Sequence, residues 1–283
     1  MTAVIASVTP FRRLLLTGAA GTLGRALRPR LKGCCELLRV SDIADLGAAA
    51  ANEELMPAAL EDAQAMLGLL AGVDAVVHLG GVSVEGPFEP ILQANIRGLF
   101  NLYEAARLAG TQRIVFASSN HVTGCYEQGR TTHPDDPVRP DGYYGVSKLF
   151  GEGLAHMYFD RYGIETVCLR IGTAVPEPAD RRELATWISL GDLARLVIAS
   201  LTAPDVGCTI AYGMSGNPRG WWDTSAAWAR LGFVPQDSSE PFADKVQHIT
   251  FDPQTPMAQL QGGRFLGIGP FDFPPSPTHP RRP

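Results

Sequence analysis

The chain has 283 residues, of which 45% are hydrophobic and 19% are charged, and its formal net charge is −5 with a sequence pI near 5.7. This length can bury one sizeable core, or one core plus a small lobe. The mildly acidic balance excludes a basic footprint for nucleic acid. We therefore expect no nucleic acid as a partner. No apolar run approaches the ~20 residues that a membrane helix needs, so we expect no membrane as a partner either.

The cysteines and the first residues indicate the compartment. Five cysteines, an odd number without zinc-ligand spacing, occur at Cys34, Cys35, Cys125, Cys168 and Cys208. Scattered reduced thiols fit this pattern better than a disulfide framework or a metal site. The opening MTAVIASVTPFRR places its arginines after a short apolar stretch, which is unlike a secretory signal. We therefore expect a cytoplasmic protein without a metal.

Short apolar segments with β-branched residues alternate with longer segments of helical period. The predicted strands cover residues 13–17, 36–41, 75–79, 113–118, 166–171 and 209–212. The predicted helices cover residues 23–31, 62–70, 88–109, 144–162, 193–201 and 224–231. This alternation predicts an α/β fold with a doubly wound parallel sheet of the Rossmann type.

The pattern weakens after the fifth long strand, which suggests a division of the chain. We expect residues 1–172 to form an NAD-binding Rossmann-type domain. Residues 173–272 are expected to form mainly a small substrate-binding lobe, with some return to the sheet. Residues 273–283 are a proline-rich tail.

A glycine-rich turn joins the first strand to the first helix. In LLLTGAAGTLGRAL the glycines are Gly18, Gly21 and Gly24. Glycine permits a tight turn and a close backbone approach, and the following helix presents unpaired N–H groups to a pyrophosphate. A purely structural turn is the alternative. The strand before it and the helix after it favour dinucleotide binding.

Asp42 lies at the end of the second strand, in RVSDI. Its distance in sequence from Gly24 is close to the roughly 20 residues expected for a carboxylate that binds the adenosine ribose diol. Such a carboxylate repels a 2′-phosphate, so NAD is favoured over NADP. Arg39, earlier on the same strand, weakens that preference if it reaches the pocket. A turn or helix-cap aspartate is the alternative for Asp42.

The string YYGVSK places Tyr144 and Lys148 four residues apart on one face of a predicted helix. A free tyrosine has a pKa near 10, and lowering it toward neutrality requires about 4 kcal/mol. A neighbouring ammonium and an oxidised nicotinamide both act in that direction. The strand ending in IVFASSN offers Ser118 or Ser119 as a hydrogen-bond partner for a substrate oxygen. Ordinary helix surface is the alternative for the tyrosine and lysine.

The strings TGAAGTLG, VVHLGG, NIRGLFNLYEAAR and YGVSK resemble the extended short-chain dehydrogenase/reductase family over nearly the whole chain. More narrowly, the chain is similar to the uronate dehydrogenases, NAD-dependent oxidoreductases of hexuronic acids. The stretches that carry this closer resemblance are HLGGVSVEGPFEPILQANIRGLFNLYEAAR, IVFASSNHVTGCY, GYYGVSKLFGE and LRIGTAVPEPADRRELATWIS.

The resemblance implies roles for individual residues. Tyr144 would be the general base, Lys148 its electrostatic partner, and Ser119 the residue that steadies the reacting oxygen. The implied cofactor contacts are Gly18, Gly21, Thr22, Leu23, Gly24, Asp42, Ile43, Leu60, Leu79, Gly80, Gly81, Tyr144 and Lys148. The implied substrate contacts are Ser83, Ser119, Asn120, His121, Tyr144, Thr173, Arg182 and Phe265. In one departure, Ala59 stands in ALED where related chains carry an aspartate that meets the adenine.

The position of Arg182 in the sequence also makes it a candidate substrate-binding residue, independently of the resemblance. It follows the fifth long strand, and ligands of open α/β sheets bind beyond the carboxyl ends of the strands. A guanidinium there can bind a carboxylate through two parallel hydrogen bonds. The alternative is that Arg181 and Arg182 are both solvated surface charges. His121 likewise has the alternative of bracing its own loop.

The expected reaction is oxidation of cyclic D-galacturonate or D-glucuronate at C1 to the aldarolactone, with formation of NADH. A nucleotide-sugar epimerase or dehydratase of the same superfamily is the first alternative, although little chain follows Arg170 to hold a nucleoside diphosphate. A non-catalytic dinucleotide-binding regulator is the second. Because relatives often pair through the helices that correspond to residues 88–109 and 144–162, we expect a homo-oligomer.

Overall fold

The structure is a computed structural model that describes residues 11–271. Its first half contains β1 (Phe11–Thr17), α1 (Thr22–Leu31), a 3₁₀ helix (Lys32–Cys34), β2 (Cys35–Ser41), β3 (Glu53–Leu55), α2 (Ala63–Leu70), β4 (Ala75–His78), α3 (Phe88–Ile91), a π-helix (Leu92–Arg97) and α4 (Gly98–Ala109). Its second half contains β5 (Arg113–Ser119), a 3₁₀ helix (Asn120–Thr123), α5 (Tyr143–Tyr162), β6 (Glu165–Ile171), α6 (Glu183–Thr186), α7 (Leu190–Thr202), β7 (Cys208–Gly213), α8 (Ser225–Leu231), a 3₁₀ helix (Glu240–Phe242), α9 (Ala243–Val246), α10 (Pro256–Gln259) and a 3₁₀ helix (Gly263–Gly267).

Seven strands form one parallel sheet in the order β3-β2-β1-β4-β5-β6-β7. The predicted doubly wound fold is confirmed. The strand order reverses between β1 and β4, and this is where ligands of such sheets bind. The carboxyl ends of β1, β2, β4, β5 and β6 therefore surround one crevice.

The core has two layers because side chains alternate between the faces of each strand. On β1, Leu14 and Leu16 pack with α1 and α7 on one face, whereas Leu15 packs with α2, α4 and α5 on the other. All three leucines are fully buried. This two-sided burial produces the continuous apolar run that precedes the glycine-rich turn.

The structure contains elements beyond the predicted ones, among them an edge strand and a π-helix. The edge strand β3 was not predicted, and the predicted helix at residues 88–109 contains the π-helix Leu92–Arg97. Within that π-helix, buried Asn95 accepts the N–H of Val82 at 2.8 Å and donates to its carbonyl at 3.0 Å. This pair of bonds ties the loop after β4 to the helix.

Other expectations have mixed outcomes. All five cysteines are free thiols. Among residues 11–271, no helix is long and apolar enough to cross a membrane. The boundary at residue 172 stays a prediction, and β7 belongs to the sheet although it follows that boundary. The predicted tail at residues 273–283 lies outside the described residues.

Candidate active site

One cleft of about 780 Å³ lies at the carboxyl ends of the strands. Every site residue predicted from the sequence lines it, from the glycine-rich turn after β1 to the 3₁₀ helix Gly263–Gly267. The structure therefore brings the predicted cofactor and substrate residues together in one place. Their individual roles stay predictions.

The glycine-rich turn has the geometry of a backbone cradle. Gly18 has a φ of +67°, and a Cβ there would lie 2.7 Å from the carbonyl carbon of Leu79. A Cβ at Gly24 would collide with the carbonyl oxygen of Gly18. No side chain caps the start of α1, so its first N–H groups remain available to an anion. These residues fit a dinucleotide pyrophosphate.

Asp42 both lines the cleft and organises the turn. Its carboxylate accepts the N–H of Ala20 at 2.9 Å and the N–H of Ala44 at 3.0 Å. Asp42 is thus a turn residue, as the alternative stated, and it also lines the cleft. Arg39 is buried elsewhere, donating to Glu54 at 2.8 Å and to the carbonyl of Leu69 at 2.6 Å. It does not line the cleft, so it does not offset the charge of Asp42.

At the end of the cleft where adenine binding is expected, Leu60 lines the wall whereas Ala59 does not. The side chain of Asn101 on α4 donates to the carbonyls of Leu60 and Glu61, both at 3.0 Å. A helix side chain therefore fixes this loop.

Tyr144 and Lys148 are both buried on α5, with the Lys148 Nζ 5.5 Å from the centre of the tyrosine ring. Burial raises the pKa of Tyr144 to about 12, and a contact with the Ser119 hydroxyl acts in the opposite direction. Burial also lowers the pKa of Lys148 to about 8. Desolvation is the largest effect on the pKa of Tyr144, and the ammonium and an oxidised nicotinamide are together expected to act against it.

The two serines at the end of β5 have different partners. Ser118 donates to Glu152 at 2.6 Å, and Glu152 forms a buried ion pair with Arg170 at 2.9 Å. Ser119 accepts the N–H of His121 at 3.2 Å and lies beside Tyr144. The structure therefore favours Ser119 over Ser118 as the partner of a reacting oxygen.

His78 on β4 is packed rather than catalytic. Its Nδ1 lies 2.7 Å from the hydroxyl of Thr17. Burial lowers its pKa to about 3. A ring that stays neutral inside the sheet is a structural group.

Arg182 is held in the cleft by neutral partners. It donates from Nε to the carbonyl of Gln261 at 2.7 Å and from Nη1 to the hydroxyl of Thr173 at 3.4 Å. The amide of Asn120 fits between two neighbours, donating to the carbonyl of Ile171 at 3.0 Å and accepting from Arg182 at 3.2 Å. Burial lowers the pKa of Arg182. No carboxylate of residues 11–271 lies within ion-pair distance of this guanidinium.

His121 faces the cleft between aromatic rings. Its ring stacks on Phe265, with 3.8 Å between centroids, and meets the edge of Tyr144 at 5.8 Å. Its Nδ1 lies 2.6 Å from Asp141. His121 therefore lines the cleft and also braces its loop through Asp141.

Two carboxylates that organise the site were not predicted. Glu85 accepts the N–H groups of Tyr143 at 3.0 Å and Tyr144 at 2.8 Å, which places a negative charge at the start of α5. Asp141 contacts His121. The sequence signal for Glu85 was indirect: the residue before α5 is Gly142, which supplies no side-chain cap.

Residues 14–190 match the model of the NAD dependent epimerase/dehydratase family. Uronate dehydrogenase of Pseudomonas syringae pv. tomato is 52% identical over 93% of this chain and 96% of its own length. This chain belongs to that family, among the uronate dehydrogenases. The uronate dehydrogenase of Agrobacterium fabrum is 51% identical over 90% of this chain and 97% of its own.

Solved structures of uronate dehydrogenases share the fold. The crystal structure of glucuronic acid dehydrogenase from Chromohalobacter salexigens is 50% identical, with a TM-score of 0.88 over 91% of this chain and 97% of that one. A variant of uronate dehydrogenase from Agrobacterium tumefaciens in complex with NAD is 49% identical, with a TM-score of 0.88 over 92% of this chain and 98% of that one.

Proposed function

We propose that this chain oxidises D-galacturonate or D-glucuronate at C1 to the aldarolactone, with NAD as the oxidant. Its relatives are named uronate dehydrogenases, and one related structure is titled a glucuronic acid dehydrogenase. The observation that carries the proposal is the cleft itself. It joins a dinucleotide-type turn, a Ser–Tyr–Lys group and an arginine held by neutral partners.

NAD fits the first part of the cleft. Gly18, Gly21 and Gly24 would hold the pyrophosphate against the start of α1, and Asp42 would bind the adenosine ribose. When bound, the nicotinamide accepts the hydride that leaves C1 of the sugar. Asp42 would exclude a 2′-phosphate by charge repulsion, because Arg39 is committed to Glu54.

Tyr144 would remove the proton of the C1 hydroxyl as C1 becomes the lactone carbonyl. The O–H bond breaks, its electron pair forms the second C–O bond, and the proton joins the phenolate oxygen. Bringing the pKa of Tyr144 from about 12 to near 7 requires about 7 kcal/mol. The positive nicotinamide and the Lys148 ammonium would supply this stabilisation together. Ser119 would hold the reacting oxygen beside the phenol.

Arg182 would bind the substrate carboxylate at the opposite end of the sugar ring. A guanidinium whose partners are a carbonyl, a hydroxyl and an amide retains its full charge for an incoming anion. Fixing the carboxylate orients C1 before the reaction. Ser83, Asn120, His121, Thr173 and Phe265 would complete the sugar site.

The test is formation of NADH, followed by absorbance, with galacturonate, glucuronate, galactose and glucose. We expect turnover with a uronate and at least a tenfold lower kcat/KM for the matching neutral hexose, because the loss of one charge-assisted contact is worth roughly 1.5–3 kcal/mol. Arg182→Ala should remove this preference, whereas Arg181→Ala, a change of the exposed neighbouring arginine, should retain it. Absence of turnover with both hexuronates would refute the proposal.

The alternatives are less well supported. A nucleotide-sugar epimerase resembles this chain at 19% identity, a level that speaks for a shared fold alone. A non-catalytic regulator would have no use for the complete Ser119, Tyr144 and Lys148 group.

We further propose that the chain forms a homodimer in the cytoplasm. Apolar side chains on the helices where relatives were expected to pair are about half exposed: Phe88, Phe100, Tyr143 and Val146. The free cysteines fit a reducing compartment. Light scattering should give the mass of a dimer, and Phe100→Glu should shift the protein towards monomer. A monomeric wild-type protein would refute the dimer.

A further inference from the structure

Asp141 contacts His121 but does not itself line the cleft. We propose that it is a positioning residue: its carboxylate keeps the proton of the imidazole on Nδ1, so that Nε2 accepts a hydrogen bond from a sugar hydroxyl. The inference rests on the proposed function for the identity of the ligand. The His–Asp contact itself is independent of it.

The contact between the two side chains is short and enclosed. Asp141 Oδ2 lies 2.6 Å from His121 Nδ1, and the side chain of Asp141 is 0% exposed. The backbone N–H of Asp141 also donates to the carbonyl of His121 at 3.3 Å. The loop before α5 is therefore attached to the 3₁₀ helix Asn120–Thr123 at two points.

The surroundings leave the carboxylate with one side-chain partner. Asp141 Oδ1 is buried and has no hydrogen-bond partner among residues 11–271. Gly124 and Gly262 close over it from two different segments, and a Cβ at either position would collide with Oδ2. Burying a carboxylate that is only partly hydrogen-bonded is unfavourable for stability. We therefore attribute the buried carboxylate of Asp141 to its effect on His121, which lines the cleft.

A carboxylate can only accept at Nδ1, so it selects the imidazole form that carries a proton there. In the neutral ring, Nε2 is then an acceptor. Nε2 has no hydrogen-bond partner within the described part of the chain, and His121 lines the cleft. The ring is held by Phe265 on one face and the edge of Tyr144.

Each group of the sugar site would then bind a different part of the substrate. Arg182 takes the carboxylate, Ser119 and Tyr144 take the C1 hydroxyl, and His121 takes a ring hydroxyl as a donor. A uronate lacking that hydroxyl should bind less tightly. The contribution of His121 should then depend on Asp141.

The kinetic test is a double-mutant cycle with Asp141→Asn and His121→Ala, in which kcat/KM for galacturonate is measured with saturating NAD. We expect Asp141→Asn to lower kcat/KM on the order of tenfold, the value of one hydrogen bond to a positioned group. In the His121→Ala background the same change should cause no further loss, because residues that act as a unit are not additive. Asp136→Asn, in the same loop but paired with exposed Arg130, is the matched control and should have no effect. Full additivity would overturn the proposal, since a merely structural carboxylate would affect both backgrounds.

A second readout does not depend on turnover. The ¹⁵N chemical shifts of the neutral His121 ring in the wild-type protein should show the proton on Nδ1 and none on Nε2. The opposite tautomer would overturn the proposal even if Asp141→Asn failed to fold. A wild-type protein that has the expected tautomer but turns over no hexuronate would instead refute the proposed function.

Discussion

Phe265 lies parallel to the imidazole of His121, with 3.8 Å between ring centroids and 10° between ring planes. The two residues are far apart in the chain, and the 3₁₀ helix Gly263–Gly267 brings the phenylalanine over the site. The phenyl ring also meets the edge of Tyr144 at 5.8 Å. A segment near the end of the described chain thus forms one wall of the sugar site.

Removal of this wall should weaken substrate binding. We expect Phe265→Ala to raise KM for galacturonate about fivefold, because the His121 imidazole would lose a stacking partner worth about 1 kcal/mol. The affinity for NAD should not change. Initial rates at varied galacturonate provide the measurement, and Phe271→Ala, from the same segment but outside the cleft, is the control. An unchanged KM would show that Phe265 does not touch the sugar.

Tyr144 and its neighbour Tyr143 provide a matched pair. Tyr143 is 46% exposed, whereas Tyr144 is 7% exposed and lines the cleft. Since general acid–base catalysis contributes on the order of 10²–10⁴, Tyr144→Phe should lower kcat by about that factor. Tyr143→Phe should leave kcat unchanged. Fluorescence titration with NADH should give the same dissociation constant for both variants; retained turnover in Tyr144→Phe would exclude it as the base.

Lys148 should make the protein less stable while enabling its chemistry. Its folded pKa of about 8 lies below the ordinary value of 10.5, so between these pH values the unfolded state binds more protons and the free energy of unfolding rises with pH. At pH 7 the buried charge therefore costs on the order of 3 kcal/mol. Lys148→Met should abolish turnover and raise the free energy of unfolding at pH 7, and the gain should fade towards pH 10.5.

Urea unfolding at both pH values measures this effect. An equal gain at both, or a loss at pH 7, would contradict the assignment of the low pKa to burial.

Asp42 should control the choice between NAD and NADP. Asp42→Asn removes the charge but leaves an oxygen that can accept an N–H from the turn. We expect the ratio of kcat/KM for NADP to that for NAD to rise on the order of tenfold, the effect of about 1.4 kcal/mol of relieved repulsion. Asp45→Asn, an exposed turn residue nearby, should leave the ratio unchanged. An unaltered ratio in Asp42→Asn would place the discrimination elsewhere.

The sequence was most informative where burial imposes a pattern. The run around Leu15 is apolar on both faces because α1 and α7 cover one side and α2, α4 and α5 cover the other. Six of the seven strands were predicted in this way. β3 was missed because a polar edge strand of three residues, Glu53–Leu55, has neither the length nor the alternation that marks a strand.

The same limit applies to the site. Tyr144, Lys148 and the glycine-rich turn have fixed spacings within single elements, so they could be found from the sequence. Glu85 and Asp141 act across loops, and nothing local distinguishes them from other carboxylates. The direction in which the pKa of Tyr144 shifts also depends on how deeply α5 is buried, which is a property of the assembled fold.

The ionisation of Tyr144 in the complex with NAD⁺ tests the account most directly. Ultraviolet absorbance of tyrosinate can be titrated against pH in the wild-type protein and in Tyr144→Phe, with and without NAD⁺. We predict that NAD⁺ lowers the pKa of one tyrosine from about 12 towards neutrality, and that this transition is missing in Tyr144→Phe. Identical titrations of the two proteins in the presence of NAD⁺ would contradict Tyr144 as the base.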